Sequence, residues 1–447
     1  MFSRRGFIQV ATASVGTMAL RPFGLLPALA QSGPSYQALV CVFLFGGNDS
    51  NNTIIPMDDT NYPAYTSIRG SLALTAADLT PTVYSTANGP YAFHGKLPEL
   101  ASMFSSKELA VVANVGSLVQ PLTRAQYQAA KTPVPLNLFS HSDQQLQWQT
   151  SIAQGNSPTG WAGRVADYIE AQKMNTSSFP VFFSVAGNAM LGNGASTQQV
   201  AVSPGGTLQL TGFNSTAASQ ARYSALTSLL TTDSGLTLAQ AANSTLANSL
   251  NDATNLSQAL AKGTALKTVF PATSLGQQLK QVAQIIQVAS YLGMSRQIFF
   301  CSLGGFDTHG GELEAHNSLY PQLSQAIAAF YAATEELGVA QNVTAFTESD
   351  FSRTFQPTTT DGSDHAWGSH HMVVGGAVQG GQIYGAFPTF ELGGPSDTDT
   401  RGRWIPTTAI DQYSATLASW FGVPDAALAA VFPNFPNFGS QKLGFLG

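Results

Sequence analysis

Residues 38–45 read Ala-Leu-Val-Cys-Val-Phe-Leu-Phe. This apolar run has no polar alternation, which is typical of a strand buried on both faces of a parallel sheet covered by helices. The run leads into residues 46–52, Gly-Gly-Asn-Asp-Ser-Asn-Asn, a turn-rich loop that carries the carboxylate of Asp49 and the hydroxyl of Ser50. The stretch therefore predicts an α/β fold with polar groups at the end of a central strand.

The later part of the chain has strand and helix patterns in an order that supports this fold. Residues 298–303 form another apolar run, residues 319–337 carry apolar side chains at helical spacing, and residues 343–347 form a further run. A strand, a helix and a strand in this order predict a right-handed βαβ unit with parallel strands. Other strands are predicted at 109–115 and 180–185, and other helices at 98–105, 161–172, 275–286 and 408–421.

Three regions have weaker patterns. Residues 188–273 are rich in Ser, Thr, Ala, Asn and Leu with very few charges. We interpret them as an insertion or cap on a single domain spanning 31–447, with loop and hairpin first and an Ala-rich helix at 236–266. Residues 116–160, and the Pro- and Phe-rich tail beyond Pro424, are predicted to be mostly loop.

The composition limits the classes of function. At 447 residues the chain is long enough for one large hydrophobic core. Charged residues make up 10% of it, the net charge is −6, and no basic stripe is present to neutralise phosphates, which argues against nucleic acid as a partner. Cys41 and Cys301 lie in apolar runs and are predicted to be buried and small, with a disulfide between adjacent strands as the alternative.

The N-terminus has the pattern of an export signal. Residues 3–9, Ser-Arg-Arg-Gly-Phe-Ile-Gln, precede a weakly apolar run, and Ala-Leu-Ala at 28–30 supplies a cleavage site. The run is broken by Gly16 and Pro22 and is shorter than the ~20 residues that a membrane span needs. We predict a twin-arginine signal peptide over residues 1–30 and a periplasmic or secreted protein without a membrane span after cleavage.

Histidines are concentrated in one segment. Of the seven histidines, His365, His370 and His371 fall within seven positions, directly after Asp364. Imidazole and carboxylate are the ligands that hold Zn, Mn or Fe in proteins. Because neighbours on a strand point to opposite faces, only one member of the pair 370–371 is expected to be a ligand. His94 and His316 are predicted to lie in a loop and on a helix surface.

Three predicted strands end in loops that contain an acid. These are Asp49, Asp307 with His309 two residues later, and Asp350. Ligands of an open parallel sheet bind at the carboxyl ends of its strands, so these side chains are expected to converge with Asp364 and His365. Several carboxylates at one edge would repel each other without a cation. The pattern predicts a metal centre, although each acid alone also fits a turn or a helix cap.

Several blocks of the sequence resemble a known family. They are the twin-arginine leader, the segments 43–56, 305–311, 350–354 and 364–385, and Asp-Gln-Tyr at 411–413. These blocks resemble a family of exported bacterial proteins catalogued as domain of unknown function 1501, and the resemblance spans essentially the mature chain. That family is similar to the alkaline phosphatase and sulfatase superfamily.

The resemblance implies a fold and a chemistry. The fold is a three-layer α/β sandwich with a mainly parallel sheet, and the activity is hydrolysis or transfer of phosphate or sulfate esters at one or two divalent metal ions, here Zn, Mn, Fe or Ca. An acid after the first strand would bind metal, as Asp49 could. Asp307 with His309, and Asp350, would match later ligands.

Candidate catalytic groups follow from the same chemistry. A nucleophile would be a hydroxyl close to the metal, and Ser140 and Ser142, which flank His141, or Ser50 beside Asp49, are the candidates. Each is equally consistent with a capping or turn hydroxyl. His141 is either a ligand or a neighbour of a helix cap. Arg353 could bind an anionic ester oxygen or pair with Asp350.

We therefore predict a secreted metal-dependent hydrolase that acts on a small anionic ester. The alternative is a non-catalytic extracellular binding or assembly protein that keeps the fold with a structural metal or none. A plain serine hydrolase is disfavoured because the sequence has no Gly-x-Ser-x-Gly motif.

Overall fold

The computed structural model describes residues 35–205, 215–232 and 235–446. The predicted signal peptide, residues 1–30, lies outside the described residues. The strands, in chain order, are β1 (Gln37–Phe45), β2 (Ile54–Pro56), β3 (Tyr84–Thr86), β4 (Gly89–Phe93), β5 (Leu109–Gly116), β6 (Phe182–Ser184), β7 (Gln199–Ala201), β8 (Arg296–Gly304), β9 (Val343–Ser349), β10 (Ser369–Val374), β11 (Ile383–Tyr384) and β12 (Thr408–Ala409). The helices are α1 (Asn61–Arg69), α2 (Pro98–Ser105), α3 (Arg124–Ala129), α4 (His141–Thr150), α5 (Trp161–Ala171), α6 (Ala217–Leu230), α7 (Thr237–Leu260), α8 (Ser274–Gln287), α9 (Glu312–Glu336), α10 (Ile410–Phe421) and α11 (Asp425–Val431).

One large sheet forms the centre of the described structure. Its strand order is β11-β5-β10-β9-β1-β8-β6-β7, with β12 paired to β5. Strand β1 runs parallel to both β8 and β9, whereas β10 is antiparallel to β5 and β9. The remaining pairs of this sheet are parallel. The predicted mainly parallel α/β sheet is therefore confirmed, and a small antiparallel sheet, β2-β4-β3, lies apart from it in the strand order.

Helices cover both faces of the large sheet. On one face α8 packs on β8, α2 packs on β5, and α9 contacts both of these helices. On the other face α10 packs on β1 and β5, α5 packs on β6 and β8, and α4 contacts β9. Strand β1 is buried along residues 38–44, in keeping with its unbroken apolar sequence. The three layers of the predicted sandwich are thus present.

Register explains why the two cysteines remain free. Cys41 lies opposite Phe300 in the parallel pair β1–β8, and Cys301 lies opposite Val42. Because successive side chains of a strand point to opposite faces, Cys41 and Cys301 face different layers. Both are buried and unbonded. The prediction of two buried small residues is confirmed, and the alternative of a disulfide is wrong.

Several regions contain more regular structure than their composition indicates. The stretch 116–160 holds α3 and α4, the stretch 188–273 contributes the sheet strand β7 and the additional helix α6, and the tail contains α11. Helix α9 begins at Glu312, two turns before the apolar spacing becomes regular, and it includes Pro321. The prediction that 116–160 is mostly loop is wrong for the segment that carries His141, because this residue begins α4.

In the described part of the chain, every helix is too short or too polar to cross a membrane.

Candidate metal centre

The carboxyl ends of β8 and β9 and the amino end of β10 bring chemically active side chains to one edge of the sheet. Asp307 follows β8, Asp350 directly follows β9, and His365 precedes the antiparallel strand β10, which starts at this same edge. His141 is the first residue of α4, which contacts β9. Side chains from separate parts of the sequence therefore meet at the edge of the sheet where a parallel α/β protein is expected to bind its ligands.

Two glycines permit the close approach of the loops. Gly46, at the end of β1, has a φ of +112°, and a Cβ there would lie 2.4 Å from the backbone nitrogen of Asp307. A Cβ at Gly362 would lie 2.2 Å from the carbonyl carbon of His309. Side chains at these positions would separate the Asp307–His309 loop from its neighbours.

Three imidazoles converge on one carboxylate oxygen. The Nε2 atoms of His141, His309 and His365 lie 3.4, 3.1 and 3.6 Å from Oδ1 of Asp307. The Nε2 atoms of His309 and His365 are 3.0 Å apart. Ligand atoms at 2.0–2.1 Å from a tetrahedral Zn²⁺ stand about 3.3 Å from one another. The distances from His141 and His365 to Asp307 are thus close to the spacing of a metal ligand set.

The other ring nitrogen of each histidine contacts an acceptor. Nδ1 of His141 lies 2.7 Å from Oδ2 of Asp350, and Nδ1 of His309 lies 3.3 Å from Oδ1 of Asp364. Nδ1 of His365 lies 2.7 Å from the carbonyl oxygen of Phe139. Because carboxylate and carbonyl oxygens only accept, the two contacts at 2.7 Å assign the proton of the neutral His141 and His365 rings to Nδ1 and the lone pair to Nε2.

The resulting arrangement is electrostatically incomplete without a cation. The Nε2 atoms of His141 and His365 lie 3.4 and 3.6 Å from one oxygen of the Asp307 carboxylate. Nε2 of His141 is buried and has no hydrogen-bond partner. Within the described residues, His141, Asp307 and His365 form the group of three potential ligands whose ligand atoms all lie within 4.8 Å of one another. These three residues fit a divalent metal ion, and His309 lies beside them, with its Nε2 atom 3.1 Å from Oδ1 of Asp307.

The charge state of the centre suits a cation. Burial opposes ionisation of Asp307, but its contact with Arg353 and the nearby His141 and His309 outweigh burial and lower its pKa. Burial lowers the pKa of His365, which keeps this ring neutral and its lone pair available. The side chains of Asp307 and His309 are 51% and 49% exposed, so a small molecule can reach the centre.

Arg353 supports the loops around the centre. Its buried guanidinium donates to the carbonyl oxygens of Gly46, Gly47, Phe306 and Ser363 and to Asp307. Its predicted contact with an ester oxygen has no support in this geometry, because its side chain is fully buried and its donors are engaged. The alternative of pairing with Asp350 is also not what the structure contains, since the ion pair is with Asp307.

Asp49 lies in a different buried cluster. It forms an ion pair with Arg69 of α1, and Arg69 also pairs with Glu312 at 3.1 Å. Glu312 in turn accepts from Thr308 at 2.9 Å. Burial raises the pKa of Asp49, and the guanidinium of Arg69 opposes that rise. A role of Asp49 as a ligand stays a prediction, and its charge is already balanced by Arg69.

His370 and His371 lie in the interior of the sheet. Nδ1 of His370 accepts from the backbone nitrogen of Asn114 at 2.9 Å, and His371 packs edge-on against Trp148. Burial lowers the pKa of each to about 3. Neither contacts the cluster of His141, Asp307, His309 and His365 in the described structure, so the expectation that one of them is a ligand gains no support.

The three serines predicted as nucleophiles lie in two different environments. Ser140, the residue before α4, donates to Asp143 at 2.6 Å, and Ser142 lies 3.2 Å from Ser140 on the same exposed turn. Ser50 is buried and pairs with Ser352 at 3.0 Å. Ser140 and Ser142 therefore flank a ligand, while Ser50 belongs to the interior.

The predicted helix-surface position of His316 is wrong, and His94, which lies as predicted in a connection, between β4 and α2, is buried there. His94 is 3% exposed and His316 is fully buried. The ring of His316 stacks on Tyr320, one turn later in α9, at a centroid distance of 4.5 Å. Burial lowers the pKa of His94 to about 3 and that of His316 to about 4, so both are neutral core side chains.

His141 is the candidate ligand that the sequence left undecided. Its segment, Phe-Ser-His-Ser-Asp, contains an acid and two hydroxyls, but the surrounding stretch was interpreted as loop. The carbonyl of Phe139, two residues earlier, could not be identified from sequence, because any residue type supplies a backbone oxygen.

The solved structures to which this chain is similar include, by their names, a sulfatase, an alkaline phosphatase and a lipoteichoic acid synthase. They include the PsFucS1 sulfatase from Pseudoalteromonas sp. (11% identity, TM-score 0.30, 80% of this chain and 66% of that chain), and TAB5 alkaline phosphatase (8% identity, TM-score 0.28, 77% of this chain and 92% of that chain). The lipoteichoic acid synthase LtaP from Listeria monocytogenes is a further match (7% identity, TM-score 0.32, 84% of this chain and 75% of that chain). Similarity at this level does not establish an activity.

Sequence comparison identifies the family. No curated protein matches the chain. The family model described as "Protein of unknown function (DUF1501)" matches residues 36–398, which is most of the chain. The family predicted from the sequence blocks is therefore confirmed, and the chain belongs to the DUF1501 family of proteins of unknown function.

Proposed function

We propose that this protein is a metal-dependent hydrolase of phosphate or sulfate esters, with one divalent ion held by His141, Asp307 and His365 and with His309 beside them. The observation that carries the proposal is the convergence of three Nε2 atoms on one carboxylate oxygen, with Nδ1 of His141 and Nδ1 of His365 each engaged by an acceptor at 2.7 Å. Nitrogen ligands with one carboxylate favour zinc over calcium or magnesium.

The protein groups have separable roles in this proposal. A bound ion would polarise the ester and lower the pKa of a coordinated water, which supplies a nucleophile at neutral pH. Asp350 and Asp364 hold His141 and His309 in the orientation that a ligand needs. Arg353 forms an ion pair with Asp307 and so holds in place the carboxylate that would bind the ion.

An accessible cation stands beside the centre. Arg401 contacts Asp364 at 3.1 Å, and its side chain is 33% exposed. Its Nε atom is buried and has no hydrogen-bond partner. A guanidinium with unused donors attracts anions such as the non-bridging oxygens of a phosphate or sulfate ester. Arg401 is thus a better candidate than Arg353 for recognition of the substrate charge.

The exposure of the centre favours catalysis over a purely structural ion. Structural zinc sites are closed by four protein ligands, whereas catalytic sites keep a position open to water or substrate. About half of the side-chain surface of both Asp307 and His309 is exposed. The competing proposal of a non-catalytic binding protein would fit a ligand set enclosed by protein.

Export through the twin-arginine route remains part of the proposal. The Arg4-Arg5 pair and the Ala-Leu-Ala site are its support. Replacement of both arginines by lysine should leave the precursor in the cytoplasm, as judged by fractionation and immunoblotting. Equal export of the variant and the wild type would count against this route.

The first test of the proposed metal centre is the metal content of the purified protein. The purified protein is expected to contain one equivalent of zinc by elemental mass spectrometry and to hydrolyse aryl phosphate or aryl sulfate esters. His141→Ala should lose the metal and the activity together. His94→Gln is the matched control, because His94 is a buried histidine whose Nδ1 contact with the Lys96 backbone at 3.0 Å can be replaced by glutamine. Metal-free wild-type protein after zinc reconstitution, or equal metal in His141→Ala, would contradict the proposal.

A further inference from the structure

We infer that Arg403 is a positioning residue that fixes the tautomer of His365, so that Nε2 of this ring carries its lone pair toward the centre. Within the described residues, Arg403 has no contact with Asp307 or with the Nε2 atoms of the histidines around it. It contacts two groups, the ring of Phe139 and the carbonyl oxygen of His365 itself. The inference rests on the proposed metal centre for its consequence but on the contacts of Arg403 for its argument.

The acceptor that orients His365 is held in an unfavourable backbone conformation. Phe139 has a φ of +71°, in the left-handed region that residues with a side chain rarely adopt. Its carbonyl oxygen accepts from Nδ1 of His365 at 2.7 Å. Strained residues of this kind persist only where the surrounding structure holds them, and they concentrate at functional sites. Something must therefore hold Phe139 against relaxation.

Arg403 contacts both partners of this hydrogen bond. Its guanidinium carbon lies 5.0 Å from the centroid of the Phe139 ring, a cation–π distance. Its Nε atom donates to the carbonyl oxygen of His365 at 2.8 Å. One rigid, planar side chain thus fixes the spacing between Phe139 and His365, which a flexible lysine could not do.

A compact turn holds Arg403 itself. Arg403 forms an ion pair with Asp399. The carboxylate of Asp397 accepts from the backbone nitrogens of four residues of the same segment, namely Gly393, Asp399, Gly402 and Arg403. The guanidinium is therefore presented from a fixed base, although Arg403 is 38 positions away from His365 in the sequence.

The consequence concerns which nitrogen of His365 is protonated. While the Phe139 oxygen is in place, Nδ1 carries the hydrogen and Nε2 is free to bind a metal ion. If Phe139 relaxed, the ring would lose its acceptor, and either nitrogen could carry the proton. The partners that orient a metal ligand typically change metal affinity by roughly 10- to 100-fold when removed.

The test compares Arg403→Gln with Arg124→Gln in the full mature protein. Arg124 is the matched control, since it donates to the carbonyl oxygens of Asp397 and Asp399 in the same turn and has no contact with Phe139 or His365 in the described residues. Zinc affinity is measured by competition with a chromophoric chelator. The tautomer of His365 is measured in the metal-free protein by long-range ¹H–¹⁵N correlation of ¹⁵N-histidine, with His365→Gln to assign the signal.

We expect wild-type protein and Arg124→Gln to show the Nδ1-protonated ring, and Arg403→Gln to lose that signature and bind zinc roughly 10- to 100-fold more weakly. Near-ultraviolet circular dichroism confirms that both variants are folded. An unchanged His365 tautomer in Arg403→Gln, or an equal loss in Arg124→Gln, would overturn the inference. Failure of the wild type to bind zinc would instead refute the proposed function, while the metal-free tautomer measurement would still decide the role of Arg403.

Discussion

Nδ1 of His141 lies 2.7 Å from Oδ2 of Asp350, and this contact joins the first residue of α4 to the residue that follows β9. The same carboxylate accepts from Gln145, one turn later in α4, at 2.7 Å and from the backbone nitrogen of Gly46 at 3.2 Å. The side chain of Asp350 is fully buried, so it orients the candidate ligand His141 and does not face the open side of the centre. Asp350, itself predicted as a ligand, thus lies behind His141.

Asp350→Ala should weaken zinc binding because His141 would lose the acceptor that orients it. The expected loss of affinity is roughly 10- to 100-fold, measured by competition with a chelator. Asp350→Asn, which keeps one acceptor oxygen, should lose less. Zinc binding by Asp350→Ala at wild-type strength would show that His141 is oriented by other contacts.

Glu348 should make the folded protein less stable as the pH rises. It is fully buried on β9, and burial raises its pKa from 4.5 to about 8. Between these values the unfolded chain has released the proton that the folded protein still holds, so the free energy of unfolding falls by about 1.4 kcal/mol per pH unit from this group. Above pH 8 both states are ionised and the contribution is constant.

Glu348→Gln should remove this slope, as measured by urea unfolding with a chelator present at pH 5 and pH 7.5. The variant is expected to gain stability relative to the wild type at the higher pH. Asp411, whose pKa burial raises to about 7, supplies a similar slope of its own and should leave a residual pH dependence in the variant. Identical pH dependence of the two proteins would mean that Glu348 is ionised in the folded state.

The fold was predictable because a long apolar run in an α/β protein is expected to form a strand that is buried on both faces of the sheet. The run 38–45 became β1, at the centre of the sheet between β8 and β9. The loops that follow these strands could also be predicted to meet, since parallel strands end at one edge. This reasoning brought Asp307, His309 and Asp350 together without any knowledge of the three-dimensional structure.

The rest of the centre depends on contacts that no local pattern records. His141 comes from a stretch whose helix α4 has no clear apolar stripe and was interpreted as loop. Asp49 follows a strand, as Asp307 and Asp350 do, but it pairs with Arg69 of α1, and no local pattern indicates this partner. The adjacent histidines at 370 and 371 suggested ligands by residue type, but the strand that carries them is buried throughout.

Ser140→Ala and Ser142→Ala should retain most of the hydrolytic activity. Both hydroxyls lie on an exposed turn, where Ser140 donates to Asp143, and this pattern is typical of a helix N-terminus. We expect less than roughly a threefold change in kcat, because metal activation of water needs no serine. Loss of activity with full zinc content in either variant would instead identify a covalent nucleophile, which rapid quenching with a slow substrate would trap.

Asp49→Asn should leave the zinc content at one equivalent. Arg69 pairs with both Asp49 and Glu312, and all three side chains are fully buried, so Asp49 presents no open face to a second cation. Asp307→Asn is the matched change at the centre, and it should lower the zinc content. Both variants are measured by elemental mass spectrometry after dialysis against the same zinc buffer. Two equivalents in the wild type and one in Asp49→Asn would mean that a metal ion displaces Arg69, and that the protein has a binuclear centre.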